Sequence, residues 1–269
     1  MSLKTRLRAM LEERFPALFA LLLDAKARLL PDRGEPELRL VPLLCRRDEL
    51  AIDVGANHGT YSAVMVRHAA RLIAAEPNPH LADVLRRRLA AAIRAGRASV
   101  VEAALSDGEG EIRLFVPTGQ SGLASVEHGP AAGEEGAYVT VARRRIDDLD
   151  LPRTGFVKID VEGHESSVVA GARGLLERDH PNLLIEVEDR HHPGSLAAIR
   201  AMLAPLGYRG FFLMEGAVRP IEAFDPGTHQ DRAALNEAGT HRLPGRIYIN
   251  NFVFSARDDV IRSLGAVAG

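Results

Sequence analysis

The 269-residue chain has one cysteine, Cys45. It can therefore form neither an internal disulfide framework nor a thiolate zinc cluster. Tryptophan is absent and aromatic residues make up 5%, too few for rows of base-stacking platforms. Charge of one sign is lacking too: 34 Lys and Arg face 36 Asp and Glu, a formal net charge of −2. A general nucleic-acid binder would show a basic domain. No apolar run reaches the ~20 residues of a membrane-spanning helix. The nearest, Phe15 to Leu30, is interrupted by Asp24, Lys26 and Arg28. It also lacks the small-residue cleavage site of a signal peptide, so a cytoplasmic protein is expected. Two readings of this stretch remain: an amphipathic helix docked on its own domain or on a partner subunit, as in a homodimer, or a membrane-surface helix. In the second, Phe15 and Phe19 face lipid and Lys4, Arg6 and Arg8 face the headgroups.

What is present is an alternation. Short apolar runs at Leu50–Gly55, Arg71–Glu76, Ser99–Leu105, Phe156–Val161 and Leu183–Val187 predict strands. Between them, helical patterns fall at residues 59–70, 78–95, 164–178 and 195–206. Such alternation predicts an α/β fold with a parallel sheet covered on both faces. Two more strands, Glu111–Pro117 and Tyr138–Ile146, flank a Gly/Ser/Glu-rich loop at 118–136. Tyr208–Met214 and Tyr248–Phe254 have no helix between them and predict an antiparallel, hairpin-like edge. The expected division is a helical extension at 1–40 and one catalytic domain at 41–269. Within it, 216–247 reads as an insertion or lid.

The first strand runs into Asp53-Val-Gly55-Ala56-Asn57-His-Gly59. Glycines there permit a sharp turn and close approach of a ligand, and the helix that follows offers its N-terminal amides. Glu76 ends the second strand about 20 residues later, where an acid accepts hydrogen bonds from ribose hydroxyls. The spacing is G-x-x-x-G, not the G-x-G-x-x-G of a pyrophosphate turn. Asp53 beside it repels phosphate and suits a cation such as S-adenosylmethionine.

Lys158, Asp160 and Glu162 alternate along one strand, and Glu186 and Glu188 along another. If the strands are neighbours, four carboxylates and one lysine meet at one edge. Crowded carboxylates repel unless a cation or a shared proton intervenes. That cation is Lys158, a substrate group, the sulfonium, or Mg²⁺ held by Asp160 and Glu186.

The segments DVGANHGTYS (53–62), AAEPNP (74–79), EAALSD (102–107), SGLASV (121–126), FVKIDVEGHE (156–165), LLIEVE (183–188) and NNFVF (250–254) together resemble the FkbM family of S-adenosylmethionine-dependent methyltransferases. The resemblance implies a Rossmann-like, doubly wound sheet of seven strands, mostly parallel with an antiparallel last strand. It implies O-methylation of a sugar, glycoconjugate or secondary metabolite. By the same resemblance, Asp53, Gly55, Ala56, Asn57, Gly59, Tyr61 and Ser62 lie by the methionine part of the cofactor. Glu76, with Pro77 and Asn78, holds the ribose. Ala103, Ala104 and Ser106 lie by the adenine, and Asp160 and Glu162 border the methyl group. Residues 121–125 form a loop near cofactor or acceptor.

An alcohol needs a base or a metal to become a nucleophile. The candidate bases are Asp160, Glu188, His164 and His191, with His192 behind His191. Three other functions compete: an NAD-linked oxidoreductase, a non-catalytic cofactor-binding subunit, and nucleic-acid methylation resting on Arg86–Arg88 and Arg143–Arg145.

Overall fold

The computed structural model describes residues 35–118, 124–127, 129, 135–190, 192–236 and 242–267. The N-terminal stretch at 1–34 and His191 lie outside these.

The chain enters through a 3₁₀ turn at Pro36–Leu40 and a short helix, α1 (Val41–Leu44). Then come β1 (Leu50–Val54), α2 (Thr60–His68), β2 (Arg71–Ala75), α3 (Pro79–Arg88), α4 (Ala90–Arg94) and β3 (Ala98–Val101). A side branch follows: β4 (Ala104–Leu105), β5 (Gly110–Pro117) and β6 (Gly136–Arg144). The chain returns with β7 (Thr154–Ile159), α5 (Glu165–Ala170), α6 (Arg173–Asp179), β8 (Asn182–Glu186) and α7 (Ser195–Leu203). Last come β9 (Arg209–Met214), β10 (Ala217–Pro220), α8 (Pro226–His229), β11 (Asn251–Ser255) and α9 (Asp258–Ala266).

The main sheet has the order β10-β9-β11-β8-β7-β1-β2-β3. From β8 to β3 all pairings are parallel. β11 runs antiparallel to both β8 and β9. The two late strands are thus antiparallel neighbours, as expected, but β11 is interior rather than at an edge. The edge is an eighth strand, β10, folded back on β9. Its turn holds Glu215 and Gly216 at φ 49° and 87°, the left-handed pair a two-residue hairpin favours. β4, β6 and β5 form a separate three-stranded sheet. The run expected as one strand over 99–105 therefore divides between the two sheets.

Side-chain alternation assigns the two faces. Leu50, Ile52 and Val54 of β1, with Val157 and Ile159 of β7, pack under α5, α6 and α7. Ala51 of β1 and Phe156 of β7 pack under α1, α2, α3 and α9. Two helices expected as continuous are interrupted. Leu89, at φ −93° and ψ 6°, separates α3 from α4. Gly171 separates α5 from α6, and a Cβ there would stand 1.8 Å from the Ser106 carbonyl oxygen. The Gly171 carbonyl accepts from Asp147 N at 3.0 Å. The Asp147 carboxylate then accepts from the amides of Gly174 and Leu175 at 2.9 and 2.8 Å and caps α6 from outside the helix.

A charge network closes the amino ends of the central strands. Glu49 is buried and accepts from Arg257 Nη1 at 2.6 Å and from Arg153 Nε at 2.7 Å. Arg257 also donates to the carbonyls of His180 and Asp179 at 2.8 and 3.1 Å. Burial alone would raise the Glu49 pKa; the hydrogen bonds from Arg257 and Arg153 outweigh it and hold the carboxyl below its ordinary value. Arg257→Ala removes one partner of this buried carboxylate and should cost about 2–4 kcal/mol in urea unfolding. A depressed carboxyl stabilises above its unfolded pKa of about 4.5 and stops doing so as pH falls through the folded value. The gap between wild type and variant should therefore narrow below about pH 4.5. A gap that stayed constant down to pH 3 would show that the guanidinium acts by packing alone.

Candidate functional site

The site begins at the switch between β1 and β7, where the chain leaves the sheet in opposite directions. Gly55 follows β1 at φ 71°, and a Cβ on it would lie 1.8 Å from the Asp160 carbonyl oxygen. Glycine is required here by the neighbouring strand's backbone, before any ligand is considered. Gly59, at φ 76°, is the N-cap of α2, and a Cβ on it would press on Leu85.

A cavity of about 250 Å³ opens here. Its walls include Glu35, Gly55, Asn57, Glu76, Pro77, Ala103, Ala104, Leu105, Asp160, Glu162, His164 and Glu186. A second cavity of about 130 Å³ shares Glu35, Gly55, Asn57 and Asp160 with it and adds Asp53, Ala56, Tyr61 and Lys158. Ten of the expected site residues thus line the first cavity and three more line the second. Gly59, Ser62, Asn78 and Ser106 stand behind the walls.

Asp53 and Lys158 are register partners on β1 and β7. Both point to the α2 side. Lys158 is fully buried. Its ammonium lies 3.6 Å from Asp160 Oδ2, donates to the Ile159 carbonyl at 3.2 Å and stands 4.9 Å from the Tyr61 ring centre. Burial alone would depress the lysine; Asp160, Glu186, Glu35 and Asp53 outweigh it and raise its pKa, so the ammonium keeps its charge. Asp53 accepts from Ser62 Oγ at 2.5 Å, and burial pushes it up to about 6. Tyr61 Oη is buried and faces the Glu35 carboxylate, which adds to burial in raising the phenol's pKa.

Glu76 joins two turns. Its carboxylate accepts from Asn57 N at 2.8 Å and from Asn78 N at 2.9 Å. Asn78 Oδ1 in turn accepts from His80 N at 3.1 Å and caps α3. Burial pushes Glu76 up to about 7, against the pull of those two amides. Glu186 is raised well above its ordinary value by burial, then by Asp160.

Three candidate bases are tied down by neighbours. His164 Nδ1 lies 2.5 Å from Glu127 Oε1, and Nε2 lies 2.8 Å from Ser106 Oγ. Glu188 accepts from Tyr248 Oη at 2.6 Å, from Arg190 Nε, and from Asn250 Nδ2 at 3.3 Å. Asp160 faces Lys158. Among the described residues no group of three or more His, Cys, Asp or Glu is placed to hold a metal ion. The buried ammonium occupies the neighbourhood of Asp160 and Glu186, so the expected Mg²⁺ finds no support there.

Sequence reasoning missed Glu35, Glu127, Tyr248 and Asn250. Asn250 lay inside a family-like segment; the others carried no local signal. Segment 124–127 also reaches the site: Ala124 and Val126 line the cavity, and Ser125 Oγ donates to the Glu162 carbonyl at 3.2 Å. Segment 216–247 is tied to the chain just after β8 and just before β11 through Gln230, which donates to the Val187 and Ile249 carbonyls at 2.7 and 2.9 Å. No helix among the described residues is long and apolar enough to cross a membrane.

A buried, acid-rich cavity with one internal cation attracts positively charged ligands. Its apolar wall at Leu81, Ala103, Ala104, Leu105 and Leu114 suits a flat ring. A hexuronic acid methyltransferase, AglP of Haloferax volcanii, is 30% identical over 147 residues, covering 54% of this chain. The match spans 59% of that relative's length. Among solved structures, methyltransferase FkbM from Methylobacillus flagellatus aligns at 20% identity and a TM-score of 0.49, covering 78% of this chain and 44% of that one. A SAM-dependent O-methyltransferase from Thermotoga maritima aligns at 12% identity and a TM-score of 0.44, covering 86% and 70%. Residues 53–209 match the model of the methyltransferase FkbM domain, and the chain belongs to that family.

Proposed function

We propose that the chain transfers a methyl group from S-adenosylmethionine to a hydroxyl of a sugar or glycoconjugate. The observation that carries this reading is the imbalance of charge in the paired cavities. Asp53, Glu76, Asp160, Glu162 and Glu186 line them with Lys158 as the internal cation. A ligand bearing a sulfonium and an amino group restores the balance.

The residues fit that cofactor. Each Glu76 oxygen accepts one amide and keeps a lone pair for a ribose hydroxyl. Lys158, beside the Tyr61 ring, would face the amino-acid carboxylate. Asp53 and Asp160 would hold the amino group, and Asp160 and Glu186 would stabilise the sulfonium. Pro77, Leu81 and Leu105 give the adenine an apolar slot. When bound, the cofactor supplies an electrophilic methyl group. The chain's own work is then to exclude water, to hold the acceptor oxygen in line with that carbon and to remove a proton from it. Tyr248, Asn250 and Arg190, grouped around Glu188 just beyond β8, would position the acceptor. The sugar class is supported by the AglP relationship and by this polar cluster.

Calorimetric titration tests the reading: S-adenosylhomocysteine should bind saturably and NAD⁺ should not. Binding of NAD⁺ alone would return Glu76 to a dehydrogenase role. Glu76→Gln keeps the size of the side chain but loses one amide acceptor. It should weaken S-adenosylhomocysteine binding about tenfold or more, the scale of one charge-assisted hydrogen bond. Because Glu76 also holds two backbone amides, Glu76→Ala should destabilise the fold as well, by about 1–3 kcal/mol. Unchanged affinity in the Gln variant would remove the ribose assignment.

The raised carboxyls set a pH dependence. Asp53 at about 6 and Glu76 at about 7 ionise as pH rises from 5.5 to 8. Raised from 3.8 and 4.5, they cost the empty fold stability as pH climbs from about 4 to 7, and once charged they favour a cationic ligand. The affinity of S-adenosylmethionine relative to its neutral thioether product should rise about tenfold between pH 5.5 and 8, one pKa unit of coupling. A flat ratio would mean that these acids do not sense the sulfonium.

A further inference from the structure

The cavity has one wall that the main sheet does not supply. Residues 124–127 come from the side branch and lie along β5. Phe115 N donates to the Ser125 carbonyl at 2.9 Å, and Ser125 N donates to the Phe115 carbonyl at 3.1 Å. Extended backbone sends alternate side chains to opposite faces. Ala124 and Val126 take one face: they line the cavity and pack on Ala104, Leu114 and Val141 of the side sheet. Ser125 and Glu127 reach the other way, to the turn after β7.

Two ties hold them there. Ser125 Oγ donates to the Glu162 carbonyl at 3.2 Å, and Glu127 Oε1 lies 2.5 Å from His164 Nδ1. A carboxylate only accepts, so Nδ1 carries the hydrogen. The other ring nitrogen lies 2.8 Å from Ser106 Oγ, which itself accepts from Arg143 Nε at 3.0 Å. The imidazole is buried, whereas the Glu127 side chain is 39% exposed. One ring thus joins the turn after β7 to the side branch at two points, Ser106 and Glu127.

Resting on the methyl-transfer reading, we propose that His164 is a positioning residue for the cofactor: it fastens residues 124–127 to the turn after β7 and so fixes the wall on which the adenine packs. Both of its nitrogens are engaged inside the protein, which suits a fastening and not a base. Ala124 and Val126 extend the apolar surface of Leu81, Leu105 and Leu114, and such a wall contributes to ring binding only while it is in place. Apparent affinity scales with the fraction of molecules in the binding-competent arrangement. The Ser125 tie is a neutral hydrogen bond, weaker than the charge-assisted one through Glu127. Cutting the Glu127–His164 tie therefore lowers that fraction.

The test uses the full chain and calorimetry with S-adenosylhomocysteine and 5′-methylthioadenosine, which share the adenosine thioether; the second lacks the amino-acid part. Glu127→Ala and His164→Ala should each weaken both ligands by the same factor, about tenfold, the scale of one hydrogen bond to a charged group. The double variant should lose no more than His164→Ala alone, because both changes cut one tie. His164→Asn, whose amide nitrogen can stand in for Nδ1, should recover affinity to within about threefold of wild type. Because Glu127 is exposed, its removal leaves the core intact, and Glu127→Ala carries the test even where His164→Ala fails to fold. Wild-type affinity for 5′-methylthioadenosine in Glu127→Ala, or losses that add in the double variant, overturns the proposal. A loss confined to S-adenosylhomocysteine overturns it as well, since the wall would then serve the amino-acid end. Failure of the wild-type protein to bind either ligand overturns the methyl-transfer reading instead.

Discussion

The site depends on one buried ammonium. Lys158 sits in the centre of the sheet, fully enclosed, with Asp53, Asp160, Glu186 and Glu35 as its charged neighbours. Burying an ion costs several kcal/mol unless partners compensate. The lysine is compensated many times over; the carboxylates are not. One positive charge is shared among several acids, so Asp53, Glu76 and Glu186 are raised by burial that no counter-ion cancels. The cavity is a standing electrostatic deficit that a cationic ligand relieves.

The two ends of the sheet show opposite solutions. At the amino ends, Glu49 and Asp179 each have an arginine within hydrogen-bond distance, and both carboxyls are depressed. Those charges hold the fold together. At the carboxyl ends, acids outnumber cations and the carboxyls are raised. The same residue type stabilises at one end and destabilises at the other, and the difference is the number of guanidinium groups nearby. Structural strength and binding capacity are therefore separated by the length of a strand.

Much of this was legible in the sequence, and what was not has a common cause. The strand–turn–helix at Asp53–Gly59 and the acid at Glu76 are local patterns, and both fall where expected. The alternation Lys158–Asp160–Glu162 correctly marked a strand end, although β7 stops at Ile159 and Glu162 lies in a left-handed turn. The breaks at Leu89 and Gly171 were invisible. The second arises from contact with Ser106, far away in sequence. Glu188 looked available because its partners, Tyr248 and Asn250, are about sixty residues distant. Gly55 read as a ligand-facing glycine, whereas its first constraint is the Asp160 backbone across the sheet. Long-range contacts decide these cases, and one-dimensional periodicity does not report them.

The position of β11 has a consequence for how the chain acquires its shape. β8 ends at Glu186, and the strand that covers its flank begins at Asn251. During synthesis β8 and β9 both emerge before the strand that belongs between them. Until it arrives, each presents an unpaired, apolar margin of the kind that recruits other chains. Completing the sheet then means inserting a strand rather than adding one, a high-separation step that slows folding. The nascent protein thus passes through an open-edged stage in which a chaperone has a defined surface to shield.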